Sequence, residues 1–179
     1  TIDVFVRDRQ TGTTTRVSVA SNGAEGDDSS MGSVAISGDG RFVAFYSLSR
    51  NLVAGDTNGT WDVFLHDRQT ATTVRVSVDS SGAEGNGLSV DPSISGDGRF
   101  VAFDSAASNL VAGDTNGARD VFVYDRETGT TARVSLDSAG AEGGGGVLSS
   151  ISDDGRYVAF ESLASNLVSG DTNGDWDVF

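Results

Sequence analysis

Apolar residues recur along this chain in short runs of distinct kinds. Phe42-Val43-Ala44-Phe45, with counterparts starting at Phe100 and Tyr157, is unbroken, the pattern of a strand buried on both faces. In Val74-Arg75-Val76-Ser77-Val78 apolar and polar residues alternate, the pattern of a strand with one wet face. Val63-Phe64-Leu65 and Val121-Phe122-Val123 form a further strand type. Ala35-Ile36-Ser37, Ser93-Ile94-Ser95 and Ser150-Ile151-Ser152 are small-residue strands, each running into a Gly/Asp turn such as Ser37-Gly38-Asp39-Gly40. No stretch has a helical period. The pattern predicts an all-β chain whose unit is four short strands joined by turns.

That unit repeats. Asp-Val-Phe begins at Asp3, Asp62, Asp120 and Asp177, giving spacings of 62−3 = 59, 120−62 = 58 and 177−120 = 57. Arg-Val-Ser (Arg16, Arg75, Arg133), Gly-Ala-Glu-Gly (around Glu25, Glu84, Glu142) and Gly-Arg-Phe/Tyr-Val-Ala-Phe (from Arg41, Arg99, Arg156) recur between those marks in one order. The repeats run over residues 3–61, 62–119 and 120–176 of a single domain, with 177–179 starting the next. Small residues suit a crowded axis, fully apolar strands the middle, and an alternating strand the outside, which is the radial order of a β-propeller blade. A β-solenoid is the competing architecture, although its usual coil is shorter and lacks the repeated hairpin turns.

Ser37-Gly38-Asp39-Gly40-Arg41-Phe42-Val43-Ala44-Phe45-Tyr46-Ser47 and its copies from Ser95 and Ser152 resemble the Ser-x-Asp-Gly-(Lys/Arg)-x-(Ile/Val)-Ala-Phe-x-Ser signature of the TolB-type, WD-like propeller repeat. The following Asp-Val-Phe matches that family's third strand. The resemblance implies about three four-stranded antiparallel blades, a segment of a ring that would be six-bladed when completed. The blades are longer than the family's usual ~40–45 residues. The surplus lies before each Asp-Val-Phe and in the Gly-Ala-Glu-Gly connections. In a four-stranded blade both kinds of connection open on one face, so the resemblance implies one elaborated face, where binding loops are expected.

Composition narrows the function classes. The net charge of −14 (12 basic against 26 acidic residues) argues against nucleic acid and anionic membranes and is compatible with cations. No apolar run approaches the ~20 residues of a membrane helix, so no membrane insertion is expected. There is no Cys, so a core, metals or ring closure must stabilise the fold. All 12 basic residues are Arg, which reads as genome composition or as a Lys-free acidic surface suited to high salt. The repeat phase starts and stops in mid-unit, so the chain is expected to be a segment of something longer or a mature product. The missing blades would come from a longer chain or from a second copy of this one.

The loop preceding Asp62 carries the candidate chemistry. Asp56, Asn58 and Asp62, with their copies Asp114, Asn116, Asp120 and Asp171, Asn173, Asp177, place side-chain oxygens at positions 1, 3 and 7 around a Gly at position 4. The pattern resembles the latter part of Asp-x-Asp-x-Asp-Gly-x-x-Asp calcium loops, and calcium wants six to eight oxygens at ~2.3–2.6 Å. Ala54, Ala112 and Ser169 stand where that motif has its first ligand. The alternative is a plain Asx-turn followed by an Asn-Gly corner. Magnesium suits such a loop poorly, and zinc lacks ligands in a chain with one His.

Other residues have structural readings. His66, the single His, is expected as an exposed strand residue. Glu25, Glu84 and Glu142 are expected to bond backbone amides or to add acidity to the elaborated face. Asp8-Arg9, Asp67-Arg68 and Asp125-Arg126 are expected in outward ion pairs or turn contacts. Trp61 and Trp176 are packing lids or stacking platforms. No Gly-x-Ser-x-Gly elbow accompanies the Ser and Asp residues. Catalysis needs unique residues at one point, whereas nearly every notable residue here occurs three times. The expected role is therefore a non-enzymatic, calcium-stabilised scaffold that binds protein or glycan in an extracellular, cell-surface or periplasmic setting. The alternatives are the propeller part of a secreted hydrolase or lyase, and a structural element of a surface filament. His66, or a single-copy acid such as Asp91 or Asp104, in a deep pocket would favour the enzyme.

Overall fold

The computed structural model describes residues 1–179, and every regular element in it is a strand. The first sheet pairs β1 (Phe5–Arg7) with β2 (Thr14–Arg16). The second runs β3 (Ser30–Ile36), β4 (Phe42–Ser47), β5 (Asp62–Asp67), β6 (Thr72–Arg75). The third repeats it with β7 (Ser89–Ile94), β8 (Phe100–Ser105), β9 (Asp120–Asp125), β10 (Thr130–Arg133). The fourth has β11 (Val147–Ile151), β12 (Val158–Ser162) and the two-residue β13 (Asp177–Val178). All pairs are antiparallel meanders.

Each sheet is a blade, and the unbroken apolar strands lie at its centre. Phe42, Val43, Ala44 and Phe45 of β4 are all buried because alternate side chains serve opposite neighbours. Val43 and Phe45, with Phe64, pack on Val4 and Val17 of the first blade. Phe42 and Ala44, with Val63 and Leu65, pack on Val101, Phe103 and Phe122 of the third. Val121 meets Phe160 and Leu167 of the fourth. The Phe45–Phe64, Phe103–Phe122 and Phe160–Phe179 ring pairs repeat the same offset stack, 5.9–6.0 Å apart at 27–28°. Each such side chain is worth about 1.5–3 kcal/mol when fully buried, so the blades are held by this interface.

The inner strands line up along the axis. Gly38 N–H donates to Gly96 O, and Gly96 N–H to Asp153 O, both at 2.9 Å, so successive inner turns touch through backbone. These strands are longer than the small-residue run suggests, because a bulge interrupts the period on each. Gly32, Asp91 and Leu148 occupy it with φ of +78°, +51° and +53°.

The outer strand departs from the expected one-wet-face pattern. It ends at Arg75; Val76, Ser77 and Val78 run on, buried, under the connection to the next blade, while Val74 is exposed. Val78 bridges to Glu84, as Val19 does to Glu25 and Leu136 to Glu142. Alternation was imposed by the stem of the long connection as much as by solvent. His66 likewise is buried on β5, its Nδ1 2.9 Å from Thr73 Oγ1, because the neighbouring blade covers that face.

Candidate functional site: an acidic cluster under the loop-rich face

The strand register places the two kinds of connection. Ser47 pairs with Asp62 and with Ser30, and Val76 N–H meets Val63 O, so the β4–β5 loop and the β6–β7 connection leave from one edge of the blade. The opposite edge has only the tight turns around Gly40 and Gln69. There Arg41 grips Asp67 with two bonds of 2.9 and 2.6 Å, and Arg99 does the same to Asp125. Arg68 and Arg126 instead donate to the Gly40 and Gly98 carbonyls, so the turn contact, and not the neighbouring Asp-Arg pair, is what forms.

On the loop-rich edge Asn51 Nδ2 donates to Glu25 O, Asn109 Nδ2 to Glu84 O and Asn166 Nδ2 to Glu142 O. Each Asn therefore clamps the connection arriving from the preceding blade. Leu52, Leu110 and Leu167 beside them are buried plugs. These three clamps recur at one spacing and were legible as a repeat, although nothing in Asn-Leu-Val announces the role.

Asp56 and Asp62 converge beneath this edge with Glu84, their nearest carboxylate oxygens all within 4.8 Å of one another. Arg75 enters from the end of β6. Its Nη1 lies 2.5 Å from Glu84 Oε1 and 3.6 Å from both Asp56 Oδ2 and Asp62 Oδ2. Asp62 Oδ1 accepts from Ser77 Oγ at 2.6 Å. Glu84 accepts from the Thr57 and Asn58 amides and from Thr57 Oγ1, fixing the loop. Asp114, Asp120, Glu142 and Arg133 form a second copy, with Arg133 Nη1 at 3.2, 3.5 and 2.9 Å from the three acids.

Of the sequence-derived candidates, Asp56 and Asp62, and Asp114 and Asp120, come together. Asn58 and Asn116 serve the loop itself: Asn58 Nδ2 donates to Asp62 Oδ2 and Gly85 O, and its Oδ1 accepts from Thr60 N–H. Asn173 bonds Asp177 in the third loop, where no Arg joins it. Glu84, Glu142, Arg75 and Arg133 are members that the loop pattern did not include. They lie 13 to 28 positions away, and only their in-phase recurrence pointed to them.

Three carboxylates against one guanidinium leave the cluster two negative charges in excess. Asp56 is 3% exposed, and its Oδ1 has no hydrogen-bond partner. Burial, and then the Asp62 charge, push the Asp56 carboxyl up to about 6, and burial raises Asp62. Burial also acts upward on Glu84, but the Thr57 and Asn58 hydrogen bonds outweigh it and hold that carboxyl low. The donor set fits a hard cation in atom type and charge, with the guanidinium as the group such an ion would have to displace or adjoin.

A further acid stands apart from these clusters, at the position held by Tyr46 and Glu161 in the other blades. Asp104, fully buried, pairs with Arg119, and its Oδ1 is unpartnered. None of the larger cavities is lined by either residue. Trp61 packs edge-on against Tyr46 at 5.2 Å, while Trp176 is exposed.

The same fold occurs in solved structures. TolB from Acinetobacter baumannii matches with a TM-score of 0.58 at 20% identity, over 98% of this chain and 34% of that one. A TolB from Agrobacterium tumefaciens, described as putative, matches at 0.55 and 16%, over 94% and 48%. The tricorn protease matches at 0.54 and 16%, over 89% and 13%. An oligogalacturonate lyase solved with manganese matches at 0.51 and 14%, over 97% and 39%. This chain thus spans less than half of each, and its fold is that of a TolB-like β-propeller. No protein-family model matches the sequence, and no curated protein matches it.

Proposed function

We propose that this TolB-like propeller segment is a non-enzymatic scaffold that binds a protein or a glycan on its loop-rich face. The observation that carries the reading is the convergence of both long connections of each blade on one edge, clamped blade to blade by Asn51, Asn109 and Asn166. A rigid rim of that kind presents loop tips at low entropic cost. The setting that suits it is extracellular, cell-surface or periplasmic. Asp104, one of the single-copy acids weighed for catalysis, is paired with Arg119.

Calcium is part of the proposal. Asp56, Asp62 and Glu84, and their copies Asp114, Asp120 and Glu142, would hold it, and it would offset the excess negative charge under the rim. A calcium titration at fixed ionic strength tests this. The melting midpoint should rise with calcium and fall back with chelator, and Glu84→Gln with Glu142→Gln should abolish the response. An unresponsive midpoint removes the ion and leaves the scaffold. The scaffold itself is tested by screening glycan arrays and displayed peptides. Binding should be lost on substituting Thr60 or Trp61 on the rim and kept on substituting Gln10 or Gln69 on the opposite edge; the reverse result would overturn it.

A further inference from the structure

Each of the two acidic clusters is closed from within by an arginine. Arg75 Nη1 donates to Glu84 Oε1 at 2.5 Å and stands 3.6 Å from Asp56 Oδ2 and from Asp62 Oδ2. Its Nη2 donates to Gly55 O at 3.2 Å. Four oxygens, from the β4–β5 loop, the start of β5 and the β6–β7 connection, thus converge on one guanidinium. In the other copy Arg133 Nη1 donates to Glu142 Oε2 and faces Asp114 Oδ1 and Asp120 Oδ2. The clusters are nearly sealed yet not saturated. Asp56 Oδ1 and the Nε of both arginines are buried without a hydrogen-bond partner, so the guanidinium balances charge while leaving bonding capacity unused.

Charge alone would admit a divalent ion beside the guanidinium, because their charges together match three carboxylates. Space does not. The carboxylate oxygens of Asp56, Asp62 and Glu84 lie within 4.8 Å of one another. A calcium ion at its usual ~2.3–2.6 Å from each has to sit near the centre of that triangle. Arg75 Nη1 already stands there. Gly55 O, a carbonyl of the kind calcium takes as a ligand, is spent on Nη2. Ion and guanidinium therefore compete for the same oxygens.

We infer that Arg75 and Arg133 are built-in competitors of the ion. Each holds its acidic cluster together when calcium is scarce and gives up its place when calcium is abundant. The inference rests on the calcium reading above and adds its regulation. The exchange needs only a side chain to swing, since Arg75 sits at the end of β6 on a long flexible stem, next to the exposed Val74. Competition also weakens the native site, because part of the ion's binding free energy goes into breaking the guanidinium's bonds.

Calorimetric titration with calcium chloride at fixed ionic strength tests the exchange on the native chain and on Arg75→Met. The variant should bind one calcium tighter than the native chain by about tenfold or more, the size of a typical coupling between competing ligands. A second calcium, at the Arg133 cluster, should keep its native affinity. Native binding that Arg75→Met leaves unchanged or weakens would overturn the exchange and spare the ion. Absence of binding to either protein would remove the ion and the exchange together. A second readout needs no variant. The Nε–H groups of Arg75 and Arg133 are buried, so by NMR their protons should exchange slowly with solvent without calcium and quickly at saturation. Protection that persists in a calcium-loaded chain would leave the guanidinium in place beside the ion, and the inference would fail.

Discussion

Arg75 and Arg133 replace, within the chain, part of the positive charge that a loop of three acids demands. Each is 9% exposed and faces three carboxylates. Removing one member of a buried ion pair leaves uncompensated charge and typically costs about 3–5 kcal/mol. Arg75→Ala should lower unfolding free energy by that amount in urea at pH 7, and a loss under about 1 kcal/mol would show the guanidinium to be incidental. Asp104 supplies a pH signature. Burial raises its carboxyl to about 6, opposed by Arg119 and assisted by Asp91. A raised folded value means that the native state holds the proton more tightly than the unfolded chain. Stability from this group is therefore full below pH ~4 and declines as pH climbs to about 6. Asp67 and Asp125 work the opposite way. Arg41 and Arg99 hold their carboxyls low, Asp125 at about 2, so their contribution is lost as pH falls below the usual carboxylate range. The melting midpoint should thus fall between pH 4 and 7 in the native chain and fall less in Asp104→Asn; equal slopes would show that Asp104 is not the titrating group.

Turns between the inner and second strands expose how blades meet. Gly40 and Gly98 share φ of +72° in the same Ser-Gly-Asp-Gly turn, but their surroundings differ. A Cβ on Gly98 would collide with Phe42 Cδ2 of the preceding blade, a ring already held between Arg41 and Arg126. On Gly40 its nearest neighbour within the chain is Arg68 Nη1 at 3.8 Å. Left-handed backbone costs a non-glycine residue about 1–2 kcal/mol, and overpacking adds about 1–3. Gly98→Ala should therefore destabilise by about 2–5 kcal/mol in chemical denaturation. A loss of 1 kcal/mol or less would mean that the blade interface yields easily. The strand types and this turn were readable in advance because local chemistry dictates them: alternation, β-branching and positive φ. The bulges were not, since Asp91-Pro92 and Leu148-Ser149 look like ordinary interruptions until the pairing on both sides is known.

Across the whole molecule the repeated turns are not equivalent, because Gly98 faces a neighbouring blade's ring while Gly40 meets only Arg68 and Ile36 of its own blade. Gly40→Ala in this chain should therefore cost only the backbone term, about 1–2 kcal/mol, less than Gly98→Ala; equal costs in chemical denaturation would show that blade contact does not set the difference. Half of each acidic cluster was foreseeable. Asp56 and Asp62 sit in one loop, where spacing reveals them, whereas Glu84 and Arg75 arrive from the next connection and the outer strand. Asn58 was grouped with the acids because a motif counts oxygens, yet its amide turned inward to brace the loop.

Periodic side-chain chemistry was enough to predict the repeat unit and its four strand types, while the single elaborated edge was implied by the resemblance to the propeller family. The unit and its strand types follow from contacts along one strand or one turn, and a threefold repetition makes them hard to misread. Which acids meet, that an arginine stands among them and that His66 is buried were settled by packing. Those relations join residues such as Asp62 and Arg75, 13 positions apart, and Asp56 and Glu84, 28 apart, and the distance between them exists only once the strands and connections have packed together.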